Sequence, residues 1–241
     1  MMETMRLNRF LAACGLCSRR DADKLIAQRA VTVNGKTAEP GVKVTQQDQV
    51  AVRGKVVQRR DTKIVLAYYK PVGVTCTERD AHARRIVTQE LKYPVRLTYA
   101  GRLDRDSEGL LLMTNDGGLI DAMMRGSNGH EKEYIVKSDR EWSRQAVDAM
   151  RQGVYLEELK TTTRPCEIEQ TGPKTLRMVL TQGLNRQIRR MCQTQGYRIT
   201  SLKRIRVMNI GLGTLKPGEY RELTKTEQAA LYQECGLYTD K

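Results

Sequence analysis

Apolar and polar positions recur with two different periods along this chain, and each change of period marks an element. Leu7, Phe10, Leu11 and Cys14 recur at helical spacing and predict a first short helix. After Gly15, the run Ser18-Arg19-Arg20-Asp21 has the form of a helix start, and Ala22, Leu25 and Ile26 give the following helix an apolar face. Val31-Thr32-Val33 then alternates as a strand does and runs into Asn34-Gly35, a dipeptide suited to a two-residue hairpin turn. Val42, Val44, Val50, Val52 and Lys55-Val56-Val57 predict further short strands. Together these form a helix-helix-hairpin unit over residues 1–57, followed by a polar linker at 58–63.

From residue 64 the pattern belongs to a larger domain, 64–241. Residues 64–69 read as a buried strand closed by the turn Lys70-Pro71-Val72-Gly73. Further strands are predicted at 95–100, 110–114, 133–137, 176–181, 202–207 and 219–223. Helices are predicted at 118–124, 141–152 with Gly153 as stop, 185–195 with Gly196 as stop, and 224–234, where Thr224 and Glu227 form a capping box. Strands interspersed with a few helices, without strict βαβ alternation, predict an α+β domain around a mixed, mostly antiparallel sheet flanked by helices.

One stretch breaks the pattern. In Gly101-Arg102-Leu103-Asp104-Arg105-Asp106-Ser107-Glu108-Gly109, acidic residues are packed among arginines directly before the apolar run 110–113. A polar turn at the mouth of a buried strand is a place where rigid scaffolds hold chemistry. Two plainer readings compete. Asp104, Asp106, Glu108 and Gly109 fall in the order that opens a calcium loop, but the twelfth position, which requires a bidentate glutamate, is Asn115. Alternating charge can also be a solvated turn.

Charge sharpens the choice. Lys and Arg number 42 against 28 Asp and Glu, a formal net charge of +14, which attracts polyanions by releasing counterions from phosphates. Nucleic acid is the leading partner class. The sequence near Met1 lacks a signal-peptide apolar region, and no apolar run is long enough to span a bilayer, so no membrane partner and a cytoplasmic location are expected. The six cysteines are scattered and expected to be reduced. Cys14 and Cys17 form one C-x-x-C pair, but Cys76 and His82 do not supply the second tight pair of a zinc site, and no metal is expected. With only two histidines, His82 and His130, catalysis would rest on carboxylates and arginines.

Two resemblances follow from these residues. The pattern R-L-N-R-F-L…S-R-R-x-A-D-x-L-I…V-x-V-N-G, over nearly all of residues 5–53, resembles the S4 RNA-binding domain. It implies RNA contacts from the basic residues around the helices: Arg6, Arg9, Arg19, Arg20 and Lys24, with Arg29 nearby. Downstream, Gly101-Arg102-Leu103-Asp104, the K-x-Y of Lys132-Glu133-Tyr134 and the Q-I-R of Gln187-Ile188-Arg189 resemble, in order, the motifs of the RNA pseudouridine synthase family, in the group that acts on ribosomal RNA. The Lys70-Pro71-Val72-Gly73 turn is similar to one near the start of that family's catalytic domain. The sequence ends at Lys241 without the long basic tail of some members.

The resemblance implies Asp104 as the catalytic residue, Tyr134 stacked on the target uracil, and Arg189 as the positive neighbour that keeps Asp104 ionised. It further implies RNA contacts from Arg102, Leu103, Arg105, Asn185, Arg186, Gln187 and Arg190. Read from spacing alone, Arg186, Arg189 and Arg190 share one face of the 185–195 helix, which could equally be a solvated basic surface. The reaction implied, uridine to pseudouridine, changes no redox state and loses no group, so no cofactor is expected. The base must be extruded from its stack before a carboxylate can reach it. The implied substrate is ribosomal RNA, large-subunit RNA first, with transfer RNA as a possible second substrate and the enzyme a monomer. A noncatalytic ribosome-assembly protein and a metal-dependent nuclease are the competing functions.

Overall fold

The computed structural model describes residues 4–59, 62–77, 85–125 and 129–237. His82, considered above as a metal ligand, lies outside them. The chain divides into two compact units, one of residues 1–64 with 93–97 and 115–117, the other formed by the remainder.

In the first unit, β1 (Met5–Arg6) leads into α1 (Leu7–Ala13) and α2 (Arg19–Ala27). Ser18 caps α2, its Oγ accepting the Asp21 N–H. β2 (Val31–Val33) and β3 (Lys36–Thr37) form the expected hairpin, with Asn34 and Gly35 both at positive φ, as a type I′ turn requires. β4 (Lys43–Val44) pairs with β1 instead of extending the hairpin, which is continued by β5 (Val50–Val52) and β6 (Lys55–Val57). Leu7, Phe10, Leu11, Ala22, Ile26, Val31 and Val50 form the core. The basic residues Arg6, Arg9, Arg19, Arg20, Lys24 and Arg29 are all exposed.

The second unit begins with β7 (Val65–Lys70), buried along its whole length, then a short α3 (Val87–Glu90) and β8 (Thr98–Ala100). β8 is shorter than the predicted 95–100 strand because 93–97 belongs to the first unit, where Arg96 donates to the Cys17 carbonyl. There follow β9 (Glu108–Thr114), α4 (Gly117–Met124), β10 (Lys132–Ser138) and α5 (Arg144–Gln152). α5 starts three residues after the predicted position because Ser143 is its cap, its Oγ accepting the Ala146 N–H. β11 (Tyr155–Leu156) and β12 (Thr161–Thr162) flank a 3-10 turn at Glu157–Leu159. β13 (Glu167–Gly172), β14 (Thr175–Leu180), α6 (Gln187–Thr194), β15 (Ile199–Val207), β16 (Ile210–Gly211), β17 (Tyr220–Glu222) and α7 (Lys225–Glu234) complete the unit. The capping box of α7 is present as expected.

The main sheet runs β13-β14-β10-β15-β9-β7-β17. It is mixed as expected: its pairs are antiparallel except where β15 meets β9 in parallel, at Lys203 with Glu108 and Arg204 with Gly109. That junction divides two cores. One gathers Val65, Ala67, Leu110 and Leu112 with α4 and α7; the other gathers Val136, Met178 and Leu202 with α5 and α6. Central strands buried on both faces carry continuous apolar runs, which is why 110–114 and 64–69 were legible as strands. None of the described helices is long and apolar enough to cross a membrane.

Candidate active site

The segment 101–107 is a turn that enters β9 at the parallel junction. Backbone hydrogen bonds hold it: the Gly73 N–H donates to the Arg105 carbonyl at 2.7 Å, and the Ser107 N–H to the Asp104 carbonyl at 3.1 Å. The first of these ties the Lys70-Pro71-Val72-Gly73 turn to the loop. Glu108 already lies in β9, its Oε2 accepting the Tyr69 hydroxyl, and Asn115 bonds the backbone of Thr62 and Ile64. The segment is therefore a turn followed at once by a strand.

Gly109 makes the junction possible. Its φ is +105°, and a Cβ there would stand 2.2 Å from the Arg204 carbonyl oxygen. Only glycine lets the β9 backbone come this close to β15.

Asp104 lies on a cleft of about 450 Å³ that is also lined by Arg102, Arg105, Lys132, Tyr134, Arg186 and Arg204. Lys132 and Tyr134 share one face of β10, two residues apart, and Glu133 between them points to the other, where Arg177 and Arg206 hold it at 2.6 and 2.7 Å. Burial opposes the charge of Glu133, but these two arginines outweigh it and keep its carboxyl below the usual range. Leu103, expected to contact RNA, is buried and also lines the cleft.

α6 brings the arginines. It starts at Gln187, because Arg186 sits in the left-handed region at φ 52° as its N-cap. The strained backbone aims the Arg186 guanidinium at both acids of the loop. Its two terminal nitrogens bond the two Asp106 carboxylate oxygens at 3.1 Å each, and one lies 3.6 Å from Asp104 Oδ2.

Arg189 departs from expectation. Its ion pair is with Asp106, Nε to Oδ2 at 3.2 Å, while Nη2 donates to the Asp106 carbonyl at 2.8 Å and reaches the Ser107 Oγ at 3.5 Å. The expected direct pairing of Arg189 with Asp104 is thus made by Arg186 instead. The reason is the helix start: with α6 beginning at Gln187, Arg186 precedes the helix and overhangs the loop, and Arg189 lies deeper beneath it. Burial opposes the Asp106 charge, but the Arg186 hydrogen bonds and both arginine charges hold its carboxyl below the usual range.

Two further expectations meet the fold differently. Gln187 is buried, its Oε1 accepting the Leu184 N–H and its Nε2 donating to Gln182, so it braces the loop before α6 while also lining the cleft. Arg190 turns away from the acids, donating to the Asn185 carbonyl and pairing with Glu158. Arg102, Arg105 and Asn185 are exposed, all three lining the cleft.

Sequence reasoning assigned no role to three buried or half-buried cations, of which Lys132 and Arg204 line the cleft and Lys70 lies within electrostatic reach of Asp104. Lys70 is fully buried, its Nζ donating to the Pro71 and Val74 carbonyls, and burial pushes it down to about 8 against the pull of Cys76, Asp104 and Asp106. Lys132 is also lowered, by burial first and by Arg204 second. Arg204 is only 3% exposed. Its signal was a charged residue inside a strand of otherwise core-forming pattern, at Leu202-Lys203-Arg204-Ile205.

Known proteins are similar over these same regions. Residues 64–194 match the RNA pseudouridylate synthase family, and residues 5–50 match the S4 domain. The dual-specificity RNA pseudouridine synthase RluF of Salmonella typhi is 40% identical over 230 residues, covering 95% of this chain and 78% of the relative. The ribosomal large subunit pseudouridine synthase B of Bacillus subtilis is 36% identical over 228 residues, covering 92% and 93%. A crystal structure of a pseudouridylate synthase superposes with a TM-score of 0.70 at 28% identity, over 94% of this chain and 99% of that one. An N-terminal S4 domain followed by a synthase domain on a mixed sheet leaves one assignment: the chain belongs to the RNA pseudouridylate synthase family, isomerases that convert uridine in RNA to pseudouridine.

Proposed function

We propose that the chain isomerises a specific uridine in ribosomal RNA, with large-subunit RNA as the main substrate, transfer RNA as a second one, and Asp104 as the carboxylate that does the chemistry. The observation that carries this reading is that Asp104 and Tyr134 line one cleft whose other charged residues, among those described, are all basic. A noncatalytic RNA-binding protein has no use for a carboxylate presented among cations in such a cleft. The relatives named for ribosomal RNA and for dual specificity support the choice of substrate.

The isomerisation breaks the N1–C1′ bond of the nucleotide and forms C5–C1′ in its place. The Asp104 carboxylate attacks as nucleophile, and the Arg186 guanidinium stands 3.6 Å from it. Arg189 fixes the loop through the Asp106 carbonyl and Ser107, which makes it a positioning residue. Tyr134 offers a ring to the flipped base, and Arg102, on the same cleft, fills the space the base vacates or grips the flanking phosphates. The surface cations Arg6, Arg9, Arg19, Arg20 and Lys24 of residues 1–57 hold phosphates, 58–63 links them to the catalytic domain 64–241, and the enzyme works as a cytoplasmic monomer where ribosomes are made.

Pseudouridine mapping in ribosomal and transfer RNA from cells with and without this gene tests the proposal. Loss of a large-subunit site, with restoration by the purified wild-type protein, is the expected result. An unchanged map in both RNAs would overturn it.

A further inference from the structure

The two arginines of β15 are separated by a bulge. β10 and β15 pair Glu133 with Arg206 and then Tyr134 with Arg204, so Ile205 has no partner opposite it. Without that extra residue Arg204 and Arg206 would share a face; with it, Arg206 joins Glu133 behind the sheet and Arg204 joins Tyr134 at the cleft. On its other side Arg204 abuts Gly109, whose missing side chain admits it. The residue is clamped between the strand that carries Tyr134 and the strand that follows Asp104.

Its guanidinium is only partly used. Nε donates to the Leu110 carbonyl at 2.7 Å and Nη1 to the Arg102 carbonyl at 3.4 Å, whereas Nη2 is buried and has no hydrogen-bond partner among the described residues. Leaving a buried donor unpaired forfeits its solvation with nothing in return, and the loss is greater when the group is charged. Such a group in a functional cleft points to a ligand that completes it. His130 repeats the observation: it lines the same cleft, and its Nε2 is likewise buried without a partner among the described residues.

The reaction supplies an acceptor. Heterolysis of N1–C1′ leaves the bonding pair on the base, where resonance places the charge on the two carbonyl oxygens, while the Asp104 carboxylate bonds C1′. C5 then bonds C1′ and expels the carboxylate, a proton leaves C5, and one is taken up at N1. If the carboxylate adds to the base instead, the electron pair it displaces enters the same carbonyl system and returns when the carboxylate is expelled.

We infer that Arg204 is a further catalytic residue, whose Nη2 donates to a carbonyl oxygen of the flipped uracil and takes up the negative charge that develops on it. This rests on the reading of the Asp104 cleft as the active site. A buried, fixed cation suits the task because it needs no reorientation when the charge appears.

The test uses the full chain and an RNA hairpin carrying its target uridine, synthesised with oxygen, with sulfur at position 2, or with sulfur at position 4. Arg204→Gln is expected to slow the single-turnover rate at saturating enzyme by about 10²- to 10³-fold, as loss of a transition-state donor does. Sulfur accepts hydrogen bonds poorly, so at one of the two positions the wild type should lose roughly tenfold more rate than the variant does. A merely structural role predicts the same sulfur effect in both proteins at both positions, and that result overturns the inference. If Arg204→Gln does not fold, Arg204→Lys, which keeps the buried cation, carries the same comparison. Full activity of Asp104→Asn would sink the site reading itself, separately from the role of Arg204.

Discussion

The cations of the first unit and those around the Asp104 loop are the same residue types in opposite situations. Arg6, Arg9, Arg20 and Lys24 are exposed, on α1, α2 and the strand before them. Arg189 and Arg204 are largely buried, and their nitrogens are directed at named backbone oxygens. An exposed cation attracts phosphate at long range, is screened by salt and is interchangeable with its neighbours. A buried guanidinium acts through geometry, and lysine does not replace its planar fork. Composition counts both kinds alike in the net charge of +14, yet in the proposed mechanism one kind supplies affinity and the other organises chemistry.

The strongest way to break the comparison is to remove the space on which the buried set depends. Gly109→Ala sets a Cβ against the Arg204 backbone at a φ of +105°, and should cost about 3 kcal/mol or more of stability. Thermal unfolding should show it, with activity lost in step; an unshifted midpoint would mean the two strands are not held together as described. Next, Arg189→Lys keeps the charge but cannot also reach the Asp106 carbonyl and Ser107. Single-turnover rate should fall by about 10²-fold, the scale of a misplaced catalytic group.

Arg186→Lys should cost less, on the order of tenfold, because its guanidinium is more exposed and a lysine can still approach Asp104. Equal, small losses in the two lysine variants would put both arginines in the exposed class. The smallest effect on catalysis belongs to the first unit. Replacing Arg9, Arg20 and Lys24 by alanine should weaken RNA binding and flatten its salt dependence by roughly 0.7–0.9 in log–log slope for each phosphate that is no longer neutralised. Turnover at saturating enzyme should stay within about twofold, since uniform binding does not raise the chemical step. A large fall in that rate would move these residues into the catalytic class.

Much of this was legible in the sequence because local signals and packing agreed. The Asn34-Gly35 hairpin, the Thr224 capping box and the apolar run 110–114 appear where the pattern puts them. β13 escaped because it is an edge strand: among Glu167-Ile168-Glu169-Gln170-Thr171-Gly172 only Ile168 is buried, which leaves little periodic signal. The partner of Arg189 was hidden for a different reason. Asp104 and Asp106 lie two residues apart in one turn, and which of them meets which arginine depends on the helix starting at Gln187 after a left-handed Arg186. Arg204 was obscured by composition, since among 42 basic residues one more arginine reads as surface. Only the bulge at Ile205 and the glycine opposite reveal it as buried.

The central claim is that one carboxylate performs the chemistry while the cations bind and position. Asp104→Asn tests it most directly when release of tritium from C5-labelled uridine and RNA affinity are measured on the same preparation. The account predicts no detectable release with affinity changed by less than about threefold, because the substitution removes the nucleophile and keeps the shape. An Asp104→Asn protein that still releases tritium at the wild-type rate would contradict it.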